Sequence, residues 1–572
     1  MKTIKKGFSF FLVLCLMLSA SISVLAASWD LSDGDISISF VDSKQTVTQN
    51  ATSQEDANPT ITSTGETANT VTVSSGAGET AQFTVENLNI NTEKQNSAID
   101  ITAGTSAVMT VEGSNAVDNT ALGSGDTHAA IHVGNGASLT IQGGSGSDNE
   151  LLVNENHLVY NTSGSGAAGI GSNKGEDFNG ELTITGDVYV GAQATNYGAA
   201  IGSGSGSDFT GTLNIENGAE VHVEGSDRGT GLGAGNKGDF TGAVNITDST
   251  VYADTYSNGA GIGAGFQGDF TGEVSIDGSD VTAISGPSGS GEGAGIGAGG
   301  YGDFSGTVSI TDSTVLAKAT NDGAGIGAGG TDSNAPGATE FSGQVNIHNS
   351  NVTADTRSQG IPIGAPESIA DRSYYDGVFS GTVNVTGDSE LTLIDGRNTT
   401  LGQQALIGGA SEASNGQVNI QEGVKVTYWA GNSEDKGDID DGSFATAAPD
   451  DYPELIKGAV VTVTEALKPN DGPSGSGGTG DTGSSGGTAA PDTFWNDLLK
   501  QIMAADKGDK LVANAGQRTS MPTYILKALT EYEVQLTIQW NGGEKIVIPH
   551  DHGIKHADFV ILFTELIELL EK

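Results

Sequence analysis

The sequence predicts a mainly β chain: a right-handed parallel β-helix solenoid, followed by a flexible linker and a small α+β domain. Three observations carry that expectation. Between residues 167 and 397 one phrase is rewritten seven times, and the apolar residue of its Gly-Ile-Gly element falls at Ile170, Ile201, Leu232, Ile262, Ile296, Ile326 and Ile363. Most steps are 30 or 31 residues, a period that signals stacked units. Each unit then alternates apolar and polar residues: Leu182/Ile184, Leu213/Ile215, Val244/Ile246, Val274/Ile276, Val308/Ile310, Val345/Ile347 and Val383/Val385 each flank a Thr, Asn or Ser. That is the period of a strand with one wet face. Glycine is the third observation, because 87 of the 572 residues are Gly, and in a helix each would cost about 1 kcal/mol.

Taken in order, residues 1–27 read as a secretion signal, with Lys2, Lys5 and Lys6 as the basic head, an apolar body from Phe8 to Leu18, and small residues at Ala26 and Ala27 for cleavage. Cys15, the one cysteine, lies inside it. The exported chain would hold no disulfide and depend on its packing. Residues 28–96 are Thr/Ser-rich and loosely alternating, as expected of a cap and irregular first coils that hide the open end of a solenoid.

The repeats proper are placed at residues 97–467. Ile99 to Ile131 is already a step of 32 residues. A second strand follows the first in each unit, at Val188-Tyr-Val190, Val221-His-Val223, Val251-Tyr-Ala253, Val281-Thr-Ala283 and onward, so each coil carries three short strands. Phe178, Phe209, Phe240, Phe270, Phe304, Phe341 and Phe379 recur at one place in the unit and are expected to stack in a corner. Ten or eleven coils predict a rod of about 50 Å. Residues 468–491 are Gly, Ser, Thr and Pro with almost no apolar content, the composition of a tether. Residues 492–572 change character: a helix over 492–503, a strand near Leu511, a helix over 522–532, a hairpin at 534–540 and 544–548, and a helix over 557–570.

Charge narrows the function classes. Removing the three leader lysines leaves 21 basic residues against 71 acidic ones, a net of −50. Nucleic acid and anionic membrane both need a positive footprint and are therefore excluded as expected partners.

Two ladders are candidate sites. Asp177, Asp208, Asp239, Asp269 and Asp303 precede the stacked Phe in successive units; carboxylates about 5 Å apart repel, and calcium is the candidate ion that would relieve them. The plainer expectation is that each Asp caps its own turn, with no cofactor at all. Tyr189, His222 and Tyr252 align at the outward position of the second strand in three coils, a strip on which sugar rings could stack. Thr282, Leu316, Thr353 and Thr392 continue that row, and Tyr favours strands on its own account. His550, Asp551, His552 and His556 cluster near the end, where a solvated loop competes with a metal site.

The Gly-Ala-Gly-Ile-Gly, Gly-Thr-Val-Ser-Ile and Ser-Thr-Val units resemble Gly-rich β-helical repeats of secreted surface proteins from Gram-positive bacteria, often labelled carbohydrate-binding domain-containing proteins. The segment Leu536-Thr-Ile-Gln-Trp-Asn-Gly-Gly-Glu is similar to the small C-terminal module that recurs behind them. The resemblance implies a non-enzymatic role, secreted or extracellular and associated with the cell surface, binding or adhering to extracellular or cell-wall polysaccharide. No Leu-Pro-x-Thr-Gly sorting signal is present. The residues offer no catalytic set: no Gly-x-Ser-x-Gly elbow with a matching His, no phosphate loop and no Cys nucleophile. A β-helical lyase or glycoside hydrolase remains the alternative, since two carboxylates suffice for glycoside hydrolysis. A calcium-stiffened structural stalk is the other.

Overall fold

A computed structural model describes residues 27–464 and 498–570, short segments excepted, of which 155–165, 396–405 and 431–442 are the longest. The expected leader up to residue 26 and the expected linker lie outside the described residues, as do His556 and most of the helix expected over 492–503.

Three long, mostly parallel sheets of 15, 14 and 12 strands are built from successive coils of residues 28–464, a β-helix-like solenoid. From Ile170 to Ile407 each coil contributes an Ile-Gly or Leu-Gly pair to the 15-stranded sheet, then an alternating strand to the 14-stranded sheet, then a further short strand to the 12-stranded one. The repeat's apolar anchors stack in register: Ile201 pairs with Leu232, Leu232 with Ile262, and Ile262 with Ile296. The wet residues between the buried pairs face out, so period two in the sequence becomes one dry and one wet face in the sheet.

The phenylalanines fill the corner between the first two sheets. Phe178 to Phe379 form one column of seven fully buried rings, with successive centroids 4.6 to 5.1 Å apart and nearly parallel planes. Glycine is required beside them. At Gly263 φ is +138°, and a Cβ there would stand 2.0 Å from the carbonyl oxygen of Gly297 in the next coil. No side chain fits between windings that approach so closely.

A second corner is closed by serine. Ser249, Ser279, Ser313 and Ser350 are buried; Ser279, Ser313 and Ser350 each accept through Oγ the N–H of the serine one coil before, and each of the four hydroxyls donates to the carbonyl two residues earlier. The residue before each serine has positive φ, and it is Asp248, Gly278, Asp312 or Asn349, the types that tolerate that conformation.

The parallel ladder reaches further back than the regular period does. Ser28–Asp30 pairs in parallel with Thr60–Thr62, and Ile36–Ile38 with Val71–Val73, so the stack begins within the stretch expected to hold a cap and irregular first coils. Closure comes from a smaller piece: Lys44–Gln49 and Thr52–Glu55 fold back antiparallel at the edge. The 14 strands of one sheet, rather than ten or eleven coils, span about 60 Å at the usual spacing.

Beyond residue 498 a second buried cluster gathers Leu498, Ile525, Leu529, Leu536, Ile538, Trp540 and Phe563. Lys510–Gly516 pairs in parallel with Gln535–Trp540, which forms the expected hairpin with Glu544–Ile548. The last helix begins at Phe563 rather than 557, because Val560–Leu562 is taken up by pairing with Ser520–Pro522.

Candidate functional site

The aromatic strip differs from the one expected. His222 pairs with Tyr252, and Tyr252 with Thr282, but His222 is opposite Gly191, while Tyr189 is opposite Glu220. Tyr189 therefore sits two residues out of the row. The sequence alignment matched Val188 to Val221; Val190 is the true partner, and Val188-Tyr-Val190 mimicked the motif by chance. Tyr189 still reaches His222 diagonally, with ring centroids 5.2 Å apart, because Gly191 leaves that space empty. His222 is only 1% exposed, its Nε2 lies 3.2 Å from Glu220 Oε1, and Tyr252 packs against the C-terminal hydrophobic cluster. The covered His222 ring offers no face to a sugar, while Tyr189 and Tyr252 on either side of it are half-exposed.

The aspartate ladder is a real column with its own bonding. The N–H of Asp208 donates to Asp177 Oδ1, that of Asp239 to Asp208, that of Asp269 to Asp239, and that of Asp303 to Asp269, each at 2.9 Å. Glu340 N–H continues the series to Asp303 at 2.7 Å. Each carboxylate thus ties its coil to the next, whereas the sequence reading had each Asp capping its own turn. One oxygen of each is already charge-bonded to a backbone donor. Asp303 has its pKa raised, first by burial and then, against the Glu340 N–H, by the charges of Asp269 and Glu340.

His552 is a helix cap. Its Nδ1 accepts the Ile554 N–H at 3.0 Å, and Nε2 lies 3.1 Å from the Leu526 carbonyl and 3.0 Å from Thr530 Oγ1. The Nδ1 lone pair is used, so Nε2 carries the proton and donates to the end of helix Thr523–Glu531.

Two constellations escaped the sequence reading. His132 Nδ1 lies 2.7 Å from Asp100 Oδ1 and its Nε2 lies 3.0 Å from Glu176 Oε2, so one half-buried imidazole is bracketed by carboxylates from the coils before and after it. Both nitrogens must be protonated to serve both oxygens. Burial opposes that charge, but the Asp100 hydrogen bond and the charges of Glu176 and Asp100 outweigh it and raise the pKa above the ordinary 6.5. The second is Arg228, whose guanidinium carbon stands 5.2 Å from the Tyr197 ring centroid and 4.7 Å from that of Phe266. Phe266 in turn meets Tyr301 edge-on at 5.3 Å. These residues break the repeat, so no periodicity could have found them; the aligned departures from the repeat were the only signal.

No protein-family profile, curated protein or solved structure matches this chain.

Proposed function

We propose that the chain is exported and acts at the cell surface as a non-enzymatic binding or adhesive rod for extracellular or cell-wall polysaccharide. In this reading the rod is a right-handed β-helix, and residues 492–572 form an α+β domain tethered behind it. The observation that supports it is the outer face of the 14-stranded sheet. There Thr183, Asn214, Asn245, Ser275, Ser309, Asn346, Asn384 and Asn419 stand in register, one per strand. Neighbouring amides bond to one another, Asn245 Nδ2 to Asn214 Oδ1 at 2.9 Å and Asn384 Nδ2 to Asn346 Oδ1 at 2.8 Å, which holds the side chains in one orientation.

Such a face is flat and carries amides and hydroxyls at about 4.8 Å intervals. It can exchange hydrogen bonds with a hydroxylated polymer without drawing on positive charge, in a chain whose acidic residues outnumber its basic ones 71 to 24. The resemblance to Gram-positive surface repeats points the same way. Incubation of the exported chain with isolated cell wall and with a glycan array tests the reading. Retention on wall or on array glycans is the expected result; a protein recovered entirely in the wash from both contradicts it.

A further inference from the structure

We infer that the rod's glycan contact is the edge formed by Tyr197, Arg228, Lys237, Phe266, Gln267 and Tyr301, and that its ligand is an uncharged polysaccharide lying along the stacking direction. This rests on the surface-binding reading above and names the site within it.

The placement follows from the backbone. The carbonyl of Tyr197 accepts the N–H of Asn236, that of Arg228 the N–H of Phe266, that of Asn258 the N–H of Gly300, and that of Glu292 the N–H of Gly330, all from 2.6 to 2.9 Å. Tyr197, Arg228, Asn258 and Glu292 are therefore one position in four coils, and Asn236, Phe266, Gly300 and Gly330 are another. Lys237 N–H donates to Phe266 O at 2.8 Å, which places Lys237 on the other side of the same aromatic residue. Lys237, Gln267 and Tyr301 share a third position, with φ of 62°, 64° and 70°.

In a solenoid the recurring residues build the scaffold, and a recognition site appears where consecutive coils depart from the repeat together. Here three aromatic and two basic residues occur within four coils, whereas the same carbonyl-bonded positions are otherwise held by Thr127, Gly166, Asn258 and Glu292 and by Lys174, Ser205, Asn236, Gly300 and Gly330. Arg228 is pinned between two rings, while about a third of its side chain stays exposed. A guanidinium fixed in this way gives up little freedom when it donates to a ligand. Asp227 Oδ2, 3.6 Å from Arg228 Nε, adds an acceptor beside the donor. Lys237 and Gln267 are exposed and Tyr197 and Tyr301 half-exposed. Paired planar donors and acceptors beside aromatic surface suit neighbouring hydroxyls of a sugar ring. The net charge of −47 repels acidic polymers, which selects the uncharged class.

The test is affinity electrophoresis of the exported chain through neutral polysaccharides and through carboxylated ones. The double variant Arg228→Gln/Tyr301→Ala and the single variant Lys237→Gln are run beside it. Lys237 is exposed, and Gln already occupies that turn position in the next coil, so this variant folds. Tyr252→Thr serves as control. Retardation by a neutral polymer that weakens on the order of tenfold in the double variant, measurably in Lys237→Gln and not in Tyr252→Thr supports the site, the scale being that of losing a charge-assisted hydrogen bond. Wild-type retardation in all variants overturns this edge and leaves the surface reading standing. Retardation by carboxylated polymers alone overturns the ligand class, and no retardation in any polymer removes the inference together with the reading beneath it.

Discussion

Phe270 lies between Phe240 at 4.9 Å and Phe304 at 4.8 Å, wholly out of water, and its truncation would leave a hole that rigid neighbouring coils cannot fill. Phe270→Ala is expected to cost about 3–5 kcal/mol, read as a lowered urea midpoint; a change under about 1 kcal/mol would mean that the column is not packed as described. This residue was legible, because a large apolar side chain recurring at a fixed offset can only be stacking. Tyr189 was not. Its flanking valines reproduced the pattern of the later strands two residues out of phase, and nothing local distinguishes Val188 from Val190 until the partner coil sets the register.

Among the elements, the strands showed themselves through alternation, and the bonds that join one coil to the next did not. The aspartate column illustrates why: a carboxylate before Phe-Thr-Gly reads as a local cap, and its real donor lies about one coil away. The His132 bracket joins three elements, His132 on its own strand, Asp100 on the strand before, and Glu176 in the turn after Ile170–Gly171. Lys174 and Asp177 share that turn, and His128 bonds Thr127 Oγ1 at 3.2 Å. Since the folded pKa of His132 is raised, the bracket's contribution is full below the ordinary value of 6.5 and is lost as pH rises through the folded value. Wild-type chain should therefore lose urea resistance as pH climbs from about 6.5, and His132→Gln should remove that slope. A wild-type slope that persists in His132→Gln would place the proton elsewhere, and an NMR titration of His132 at or below 6.5 would deny the bracket.

For the whole molecule, the repeat length and the three-strand coil were set by the period alone, whereas the extent of the stack was not. Ser28–Asp30, Ile36–Ile38, Thr60–Thr62 and Val71–Val73 carry no Gly-Ile-Gly phrase, yet they pair in parallel because alternation and burial suffice once a neighbouring coil is present. The central claim is that coils about thirty residues apart lie in register upon one another. Engineered cysteines measure that directly, because Cys15 is the only natural one and sits in the expected leader. Asn214 and Asn245 are paired residues on adjacent strands, at a separation a disulfide can span, whereas Asn214 and Ser275 are two strands apart, about 10 Å. Under oxidation, Asn214→Cys/Asn245→Cys should close an intramolecular disulfide detected by peptide mapping, and Asn214→Cys/Ser275→Cys should remain as free thiols. Cross-linking of the second pair in place of the first, or of neither, would contradict the stacked register.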